Sequence, residues 1–490
     1  MRSSPRRTDP LRARVAILAV PVAQPPAPLA GTAAAIDAAL EGMVARAARE
    51  GEVTGRKGEV TVFHTGGRIV APRVAVVGLG RSPDADAWRA AGAAVARRAG
   101  ASGAATIGVA TPDDAPQEAG AWFAEGAWWG SYRLDRFRTK KESRHTPLRE
   151  LVVLNGDRAS LATADALMTG VLAARELADT PANHLTPRGL AEAARALAAE
   201  VPGLSCRVLG ERELSQLGAG ALLGVAAGSA QPPRMIVMRY RPKGARPGEV
   251  LGLVGKAVTF DSGGISIKPS AGMEEMKLDM GGGAAVIHGI GAIARLGIPV
   301  GALAVVPATE NLPSGTAMKP GDVVTAMNGT TIEVVNTDAE GRLILADAMV
   351  YAARQGASRL IDIATLTGAM VVALGDVYAG LFGNDDAWTE LVREAGEESG
   401  DLLWPMPLHD GYRPLIRSRI ADLSNAAKKR QAGAVYAAMF LREFASGLPW
   451  CHVDIAGTGM KDGGGTGFGV RLIAAVAQRL AAGDVEPSGA

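Results

Sequence analysis

Cysteine is nearly absent from this chain: Cys206 and Cys451 are the only two in 490 residues. Two thiols cannot make a disulfide framework, and both read as buried free cysteines in a reducing compartment. Long apolar runs are missing too. No stretch of about eighteen apolar residues is free of glycine or charge, which excludes a membrane-spanning helix. Charge of one sign is also lacking, because 52 Lys and Arg against 50 Asp and Glu leave a formal +2. No global field therefore draws the chain to nucleic acid or to a membrane. Histidine is scarce and scattered, with six in all. No His-Glu-x-x-His pair and no Gly-x-Ser-x-Gly elbow occurs. A secretory signal is not expected either. The segment Met1 to Arg14 holds five arginines, but the apolar run after it, Val15–Val20, is short and ends at Pro21. Residues 1–14 read as a disordered basic tail, and the expected location is cytoplasmic.

What is present is ordinary globular material. Hydrophobic residues make up 48% and charged residues 21%, enough for sizeable cores. The length predicts two to three domains. Up to about residue 165, short apolar strands (Val15–Val20, Val74–Val77, Ala105–Ala110, Leu151–Leu154) alternate with Ala-rich helices (Ala33–Arg49, Ala85–Arg98). That alternation implies an α/β domain over 15–165. Gly78-Leu79-Gly80 starts like a dinucleotide fingerprint but lacks the third glycine, so it reads as a plain turn. Trp122, Trp128, Trp129, Tyr132 and Phe137 read as packing between the two halves, and Arg136–Lys141 as a solvated connector.

From 170 to 490 the pattern predicts a larger α/β/α sandwich. Its strands are Met235–Tyr240, Val250–Val254, Val300–Val306, Thr331–Val335, Leu360–Ile363 and His452–Ile455. Its helices are Pro187–Glu200, Gly283–Leu296, Leu343–Arg354, Ala432–Ala445 and Gly469–Ala481. A mostly parallel sheet of this kind binds ligands at the carboxyl ends of its strands. Chemistry is therefore expected just after Val254, Val335 and Ile363.

Unusual charge does lie there. Lys256, Asp261, Lys268 and Asp279 stand among glycines and apolar residues between Val254 and Gly282. Charge in such a setting faces burial, and buried charge needs partners or metal. Asp338 and Glu340 follow a strand in Asn336-Thr337-Asp338-Ala339-Glu340-Gly341-Arg342-Leu343. Two apart on an extended segment, they share a face, which is costly unless a cation lies between them. The four carboxylates of Asp261, Asp279, Asp338 and Glu340 balance two divalent ions. Paired metals can share a nucleophilic water and polarise a carbonyl, leaving Lys268 and Arg342 for developing oxyanions. Lys256 could bind metal only as a neutral amine, which burial and adjacent cations would allow. A glycosidase pair of carboxylates would leave Lys256, Lys268 and Arg342 unexplained. Ser262 lacks a nucleophile's frame. Cys451 and His452 are strand neighbours that face opposite ways, and His452 reads as a core residue.

At these residues the chain resembles the leucyl, or cytosol, aminopeptidase family. Residues 336–343 match that family's signature octapeptide, and 254–282 its second metal-site segment. The similarity covers most of 170–480 and, more loosely, Val76–Gly80 and Glu125–Lys141. The resemblance implies a macro-like N-terminal domain and a C-terminal peptidase domain. It implies Lys256, Asp261, Asp279 and Glu340 as ligands of a tight metal site, and Asp261, Asp338 and Glu340 as ligands of an exchangeable one. It implies Lys268 as oxyanion donor and Arg342 as holder of a bicarbonate general base. Met276, Thr365 and Gly368 match positions lining the pocket for the substrate's first side chain. Zinc, manganese or magnesium, peptide substrates with leucine or another apolar N-terminus, and a hexamer of two trimers are also implied. Two departures occur: Ala257 stands where glycine is common, and Gly283 where alanine is common. Two rivals remain. A DNA-binding family member without catalysis is opposed by the charge balance and the intact polar set. A two-metal phosphatase or nuclease would cleave phosphate esters instead.

Overall fold

The computed structural model describes residues 2–26, 28–140, 146–429 and 431–484, so Lys141 at the end of the basic connector lies outside the described residues. The chain divides into two compact units, Met1–Leu172 and Ala173–Ala490. The division falls inside the helix Arg158–Asp179. Among the described residues no helix is long and apolar enough to cross a membrane.

Among the described residues the first unit is built on a six-stranded sheet. Its order is Ser3–Arg6, Glu150–Leu154, Thr106–Ala110, Ile17–Val22, Arg73–Gly78 and Val60–His64. All neighbours run parallel except the last pair. The apolar runs fill the middle, where Ile17, Leu18, Val74, Ile107 and Leu151 are fully buried. The basic segment expected to be a disordered tail is instead the edge strand Ser3–Arg6, in register with Leu151–Leu154. The Glu150–Leu154 strand offers unpaired backbone groups on that side, and the segment satisfies them. Asp165 fixes it by accepting from the Ser3 amide at 2.8 Å and the Ser3 hydroxyl at 2.7 Å. The expected helix Ala33–Arg49 is two helices, Gly31–Ala39 and Met43–Arg49. The chain turns left-handed at Glu41 and Gly42 between them, and Asp37 caps the second helix by accepting from the amides of Val44 and Ala45. Trp128 is buried within this unit, with its indole N–H donating to the Ser3 hydroxyl at 3.0 Å.

The second unit carries a nine-stranded sheet among the described residues. Its centre is four parallel strands in the order Trp450–Asp454, Arg359–Ala364, Val250–Gly255 and Gly301–Asn311. Ala257–Asp261 continues beside the far end of Gly301–Asn311. The antiparallel Arg234–Tyr240 and Leu204–Leu209 extend one side, and Ala379–Gly383 and Leu403–Pro405 the other. Near-continuous apolar strands are what a parallel sheet buried on both faces requires. The helices Gly281–Arg295 and Gly341–Arg354 are buried along most of their length. One expected element belongs elsewhere. Thr331–Val335 contributes only Thr331–Glu333, in a separate three-stranded sheet with Val323–Thr325 and Leu423–Ser424. Its alternation of polar and apolar residues suits a half-exposed ribbon better than a buried sheet.

Candidate metal centre

Lys256 sits at the junction of the strands Val250–Gly255 and Ala257–Asp261, and Asp261 closes the second of them. The Lys256 amide donates to the Ile363 carbonyl at 3.1 Å, and its carbonyl accepts from the Gly283 amide at 2.7 Å. Asp279 precedes the helix Gly281–Arg295, and its carbonyl accepts from the Val258 amide at 3.1 Å. Thr365 follows the strand Arg359–Ala364 directly. Asp338 and Glu340 lie in the turn that opens the helix Gly341–Arg354. That segment is not extended, so the expected alternation does not bring the two together; the turn does. The Asn336 carbonyl accepts from the Ala339 amide, and Asn425 clasps the turn through the carbonyls of Asn336 and Ala339.

The charged groups converge tightly. Asp261, Asp338 and Glu340 each offer one carboxylate oxygen, and these atoms lie within 4.8 Å of one another. The Lys256 ammonium lies 2.8 Å from Asp279 Oδ2, 2.9 Å from Glu340 Oε1 and 3.0 Å from the Thr365 carbonyl. The Lys268 ammonium lies 2.8 Å from Asp261 Oδ2 and also pairs with Asp338. Asp279 is held from its other side by the Thr365 hydroxyl at 2.7 Å. All five metal-site candidates and both basic candidates, Lys268 and Arg342, therefore line one cavity of about 480 Å³, with Met276, Thr365 and Gly368 in its wall. Close approach needs small residues. A Cβ on Gly341 would stand 2.7 Å from the Lys256 side chain, and one on Gly263, which is left-handed at φ +86°, would stand 2.9 Å from Asp338 Oδ1.

Crowding shows in the protonation equilibria. Burial and the neighbouring Asp261 push Glu340 up to about 8, against the pull of Lys256. Burial likewise pushes Asp279 up to about 6, although Lys256 opposes it. Burial and Asp261 raise Asp338. Burial works against the charge on Lys256, yet Asp279, Glu340 and Asp261 outweigh it and hold the ammonium above the usual lysine range. The lowered lysine pKa expected from sequence depends on adjacent cations; the protein's own charges push the other way. Burial first, and neighbouring carboxylates second, raise all three groups, a setting in which a bound cation would favour the charged forms. Glu340 Oε2 is buried with no hydrogen-bond partner among the described residues. Oxygen donors of this number and hardness fit divalent ions. Arg342 is buried, donates to the Asn425 carbonyl at 2.6 Å and stacks on Tyr436. Its Nε has no partner among the described residues, so it can serve an anion.

Several groups were not singled out from sequence. Asn311 donates to Asp261 Oδ1 at 2.8 Å and to the Thr337 carbonyl at 3.0 Å. Asn425 organises the 335–339 turn and touches Arg342. Asp454 and Thr367 join beneath the pocket wall. The Ala257 and Gly283 departures prove to be one exchange, because a Cβ on Gly283 would meet the Ala257 Cβ at 2.7 Å. The missing methyl at 283 makes room for the extra one at 257. His452 is buried with Nδ1 2.6 Å from Asp362. Burial raises both thiols, Cys206 and Cys451, so neither is activated.

Comparisons with known proteins agree on one family. A model described as the cytosol aminopeptidase family, catalytic domain, matches residues 172–474, and its N-terminal-domain counterpart matches residues 19–141. A "Probable cytosol aminopeptidase" of Solibacter usitatus is 47% identical over 445 residues, covering 87% of this chain and 91% of that protein. One of Geobacter sp. strain M21 is 44% identical over 456 residues, covering 89% and 92%. Among solved structures, a mutant tomato leucine aminopeptidase superposes with a TM-score of 0.88 at 34% identity, covering 97% of this chain and 96% of that one. The bottromycin maturation enzyme BotP in complex with Mn gives 0.84 at 36% identity, covering 95% and 100%.

Proposed function

Because the chain belongs to the cytosol aminopeptidase family, a family of metal-dependent peptidases, we propose that it releases N-terminal residues, leucine or other apolar ones by preference, from peptides at a two-metal site. Lys256, Asp261, Asp279 and Glu340 would hold one ion, and Asp261, Asp338 and Glu340 the other. Zinc, manganese and magnesium suit such donors. The observation that carries this reading is the convergence of four carboxylates and two lysines in one cavity.

Bound there, two divalent ions supply Lewis-acid polarisation of a carbonyl and water that is nucleophilic near neutral pH. Lys256 contributes only after losing its proton, and its carbonyl contact with Thr365 orients the amine. Lys268 reaches the cavity with about a fifth of its side chain exposed. Its ammonium donates to the oxygen on which charge develops. The spare donor of Arg342 fits bicarbonate, the proposed proton acceptor. Met276, Thr365 and Gly368 shape the pocket for the first side chain. A cleft of about 1010 Å³, sharing Asn336, Gly368, Ala369, Gly433 and Tyr436 with that cavity, leaves room for the rest of the peptide. Cytoplasmic location and a hexamer of two trimers complete the proposal. The test is hydrolysis of leucine p-nitroanilide with and without chelator. Turnover should vanish on chelation and return with Zn²⁺ or Mn²⁺; undiminished turnover after complete metal removal contradicts it.

A further inference from the structure

Asp454 ends the strand Trp450–Asp454 opposite Ala364, the last residue of the neighbouring strand. It is completely buried; among the described residues no lysine, arginine or histidine lies within ion-pair distance of it, although the buried His452 feels its charge. Its carboxylate is satisfied by four donors instead. Oδ1 accepts from the amides of Leu366 at 3.1 Å, Thr367 at 3.4 Å and Ala456 at 3.2 Å. Oδ2 accepts from the Thr367 hydroxyl at 2.6 Å. Leu366 and Thr367 leave one central strand and Ala456 leaves the other, so a single buried anion ties two strand-end loops together. Both loops line the 480 Å³ cavity.

The tie bears directly on the charge cluster. Thr365 sits between the strand end at Ala364 and the two residues that Asp454 holds. Its hydroxyl donates to Asp279 Oδ1 at 2.7 Å, and its carbonyl accepts from the Lys256 ammonium at 3.0 Å. One residue thus contacts two of the five candidate ligands, through two different atoms. It can do so only while the backbone from 365 to 367 keeps its path. An unpaired buried carboxylate is costly, so the loop and the anion depend on each other.

We infer that Asp454 is a positioning residue for the metal centre: without touching metal or substrate, it fixes the 365–367 segment so that Thr365 orients Asp279 and Lys256 as ligands. Groups that orient ligands from outside typically govern metal affinity by about 10–100-fold. The inference rests on the two-metal reading, and the two fail separately.

The test is Mn²⁺ titration of the metal-free full-length chain by calorimetry, with thermal unfolding of the same metal-free samples as a check on folding. Asp454→Ala should weaken Mn²⁺ binding by about 10–100-fold. Asp454→Asn keeps an oxygen for the three amides and an N–H for the Thr367 hydroxyl, and should recover most of that loss. In a Thr365→Val background the further loss from Asp454→Ala should shrink, because the two act in series. Unchanged Mn²⁺ affinity in folded Asp454→Ala, or a loss that persists in full beside Thr365→Val, overturns the inference. Should Asp454→Ala not fold, Thr367→Val removes only the 2.6 Å bond. A weaker affinity there supports the inference, and an unaltered one overturns it. Wild-type protein that takes up no Mn²⁺ or Zn²⁺ at all sinks the two-metal reading instead.

Discussion

The two units place a cavity at the same kind of address and fill it differently. In the first unit, the carboxyl ends of the strands Thr106–Ala110 and Glu150–Leu154 open on a cavity of about 380 Å³ whose lining includes Arg7, Thr111, Asp113, Gln117, Asn155 and Asp157. Two of its polar side chains, Asp157 and Thr111, find local partners. Asp157 accepts from the Ser160 amide and hydroxyl at 2.7 and 2.8 Å, and the Thr111 hydroxyl donates to the Leu154 carbonyl at 3.2 Å. That is turn and cap chemistry. In the second unit the strand ends gather four carboxylates against the ammonium groups of Lys256 and Lys268, and among the described residues Glu340 keeps a buried oxygen without a partner. A parallel sheet supplies the address in both. Among the described residues only the second unit gathers a carboxylate cluster that could hold a metal ion, so function follows the side chains and not the fold.

Substitutions can break or sharpen that contrast. The largest effect is expected from Glu340→Gln, which should reduce leucine p-nitroanilide hydrolysis to the chelated background. Asp157→Asn in the first unit should leave the rate within about twofold. Equal losses from both would erase the distinction. Next comes Lys268→Ala, expected to lower kcat by about 10²–10³ if its ammonium faces the developing oxyanion. A drop of less than about threefold would assign that role elsewhere.

Acid stability separates the units in another way. His288, buried in the helix Gly281–Arg295, is held down to about 3 by burial and by Arg295. Unfolding restores its ordinary pKa near 6.5. The unfolded chain then binds a proton that the folded chain refuses, so stability is full above about pH 6.5 and falls as pH drops from there toward 3. One proton corresponds to about 1.4 kcal/mol per pH unit. Thermal unfolding across that window should be less pH-dependent in His288→Leu. An unchanged slope would show that His288 is not the sensitive group. The smallest effect is steric. Gly283→Ala should destabilise by about 1–3 kcal/mol through its contact with Ala257, and adding Ala257→Gly should restore most of it. Simple additivity of the two would show that they do not share one space.

Charge out of place among glycines was visible along the chain, as were the central apolar strands. Both mark burial, and burial is what sequence pattern reports best. Residues 256–282 and 336–343 therefore pointed to the site, although the 338–340 turn had been expected to be extended. Edge elements were harder to see. Ser3–Arg6, Val60–His64 and Leu204–Leu209 are partly exposed and carry polar residues, so nothing in them distinguishes strand from loop. Asn311, Asn425 and Asp454 were invisible for a different reason. Each is a polar residue whose role exists only once segments far apart in sequence meet. The 257/283 exchange belongs to the same class, since neither position is informative until the two Cβ positions are seen to compete.

The central claim is that the cluster around Glu340 holds two catalytic cations. The most direct measurement is hydrolytic activity as a function of Mn²⁺ added to the metal-free chain, with the bound ions counted by elemental analysis. The account predicts activity that reaches its plateau at two ions per chain, and no plateau in Glu340→Gln. Full activity with one ion bound, or with none, would contradict it.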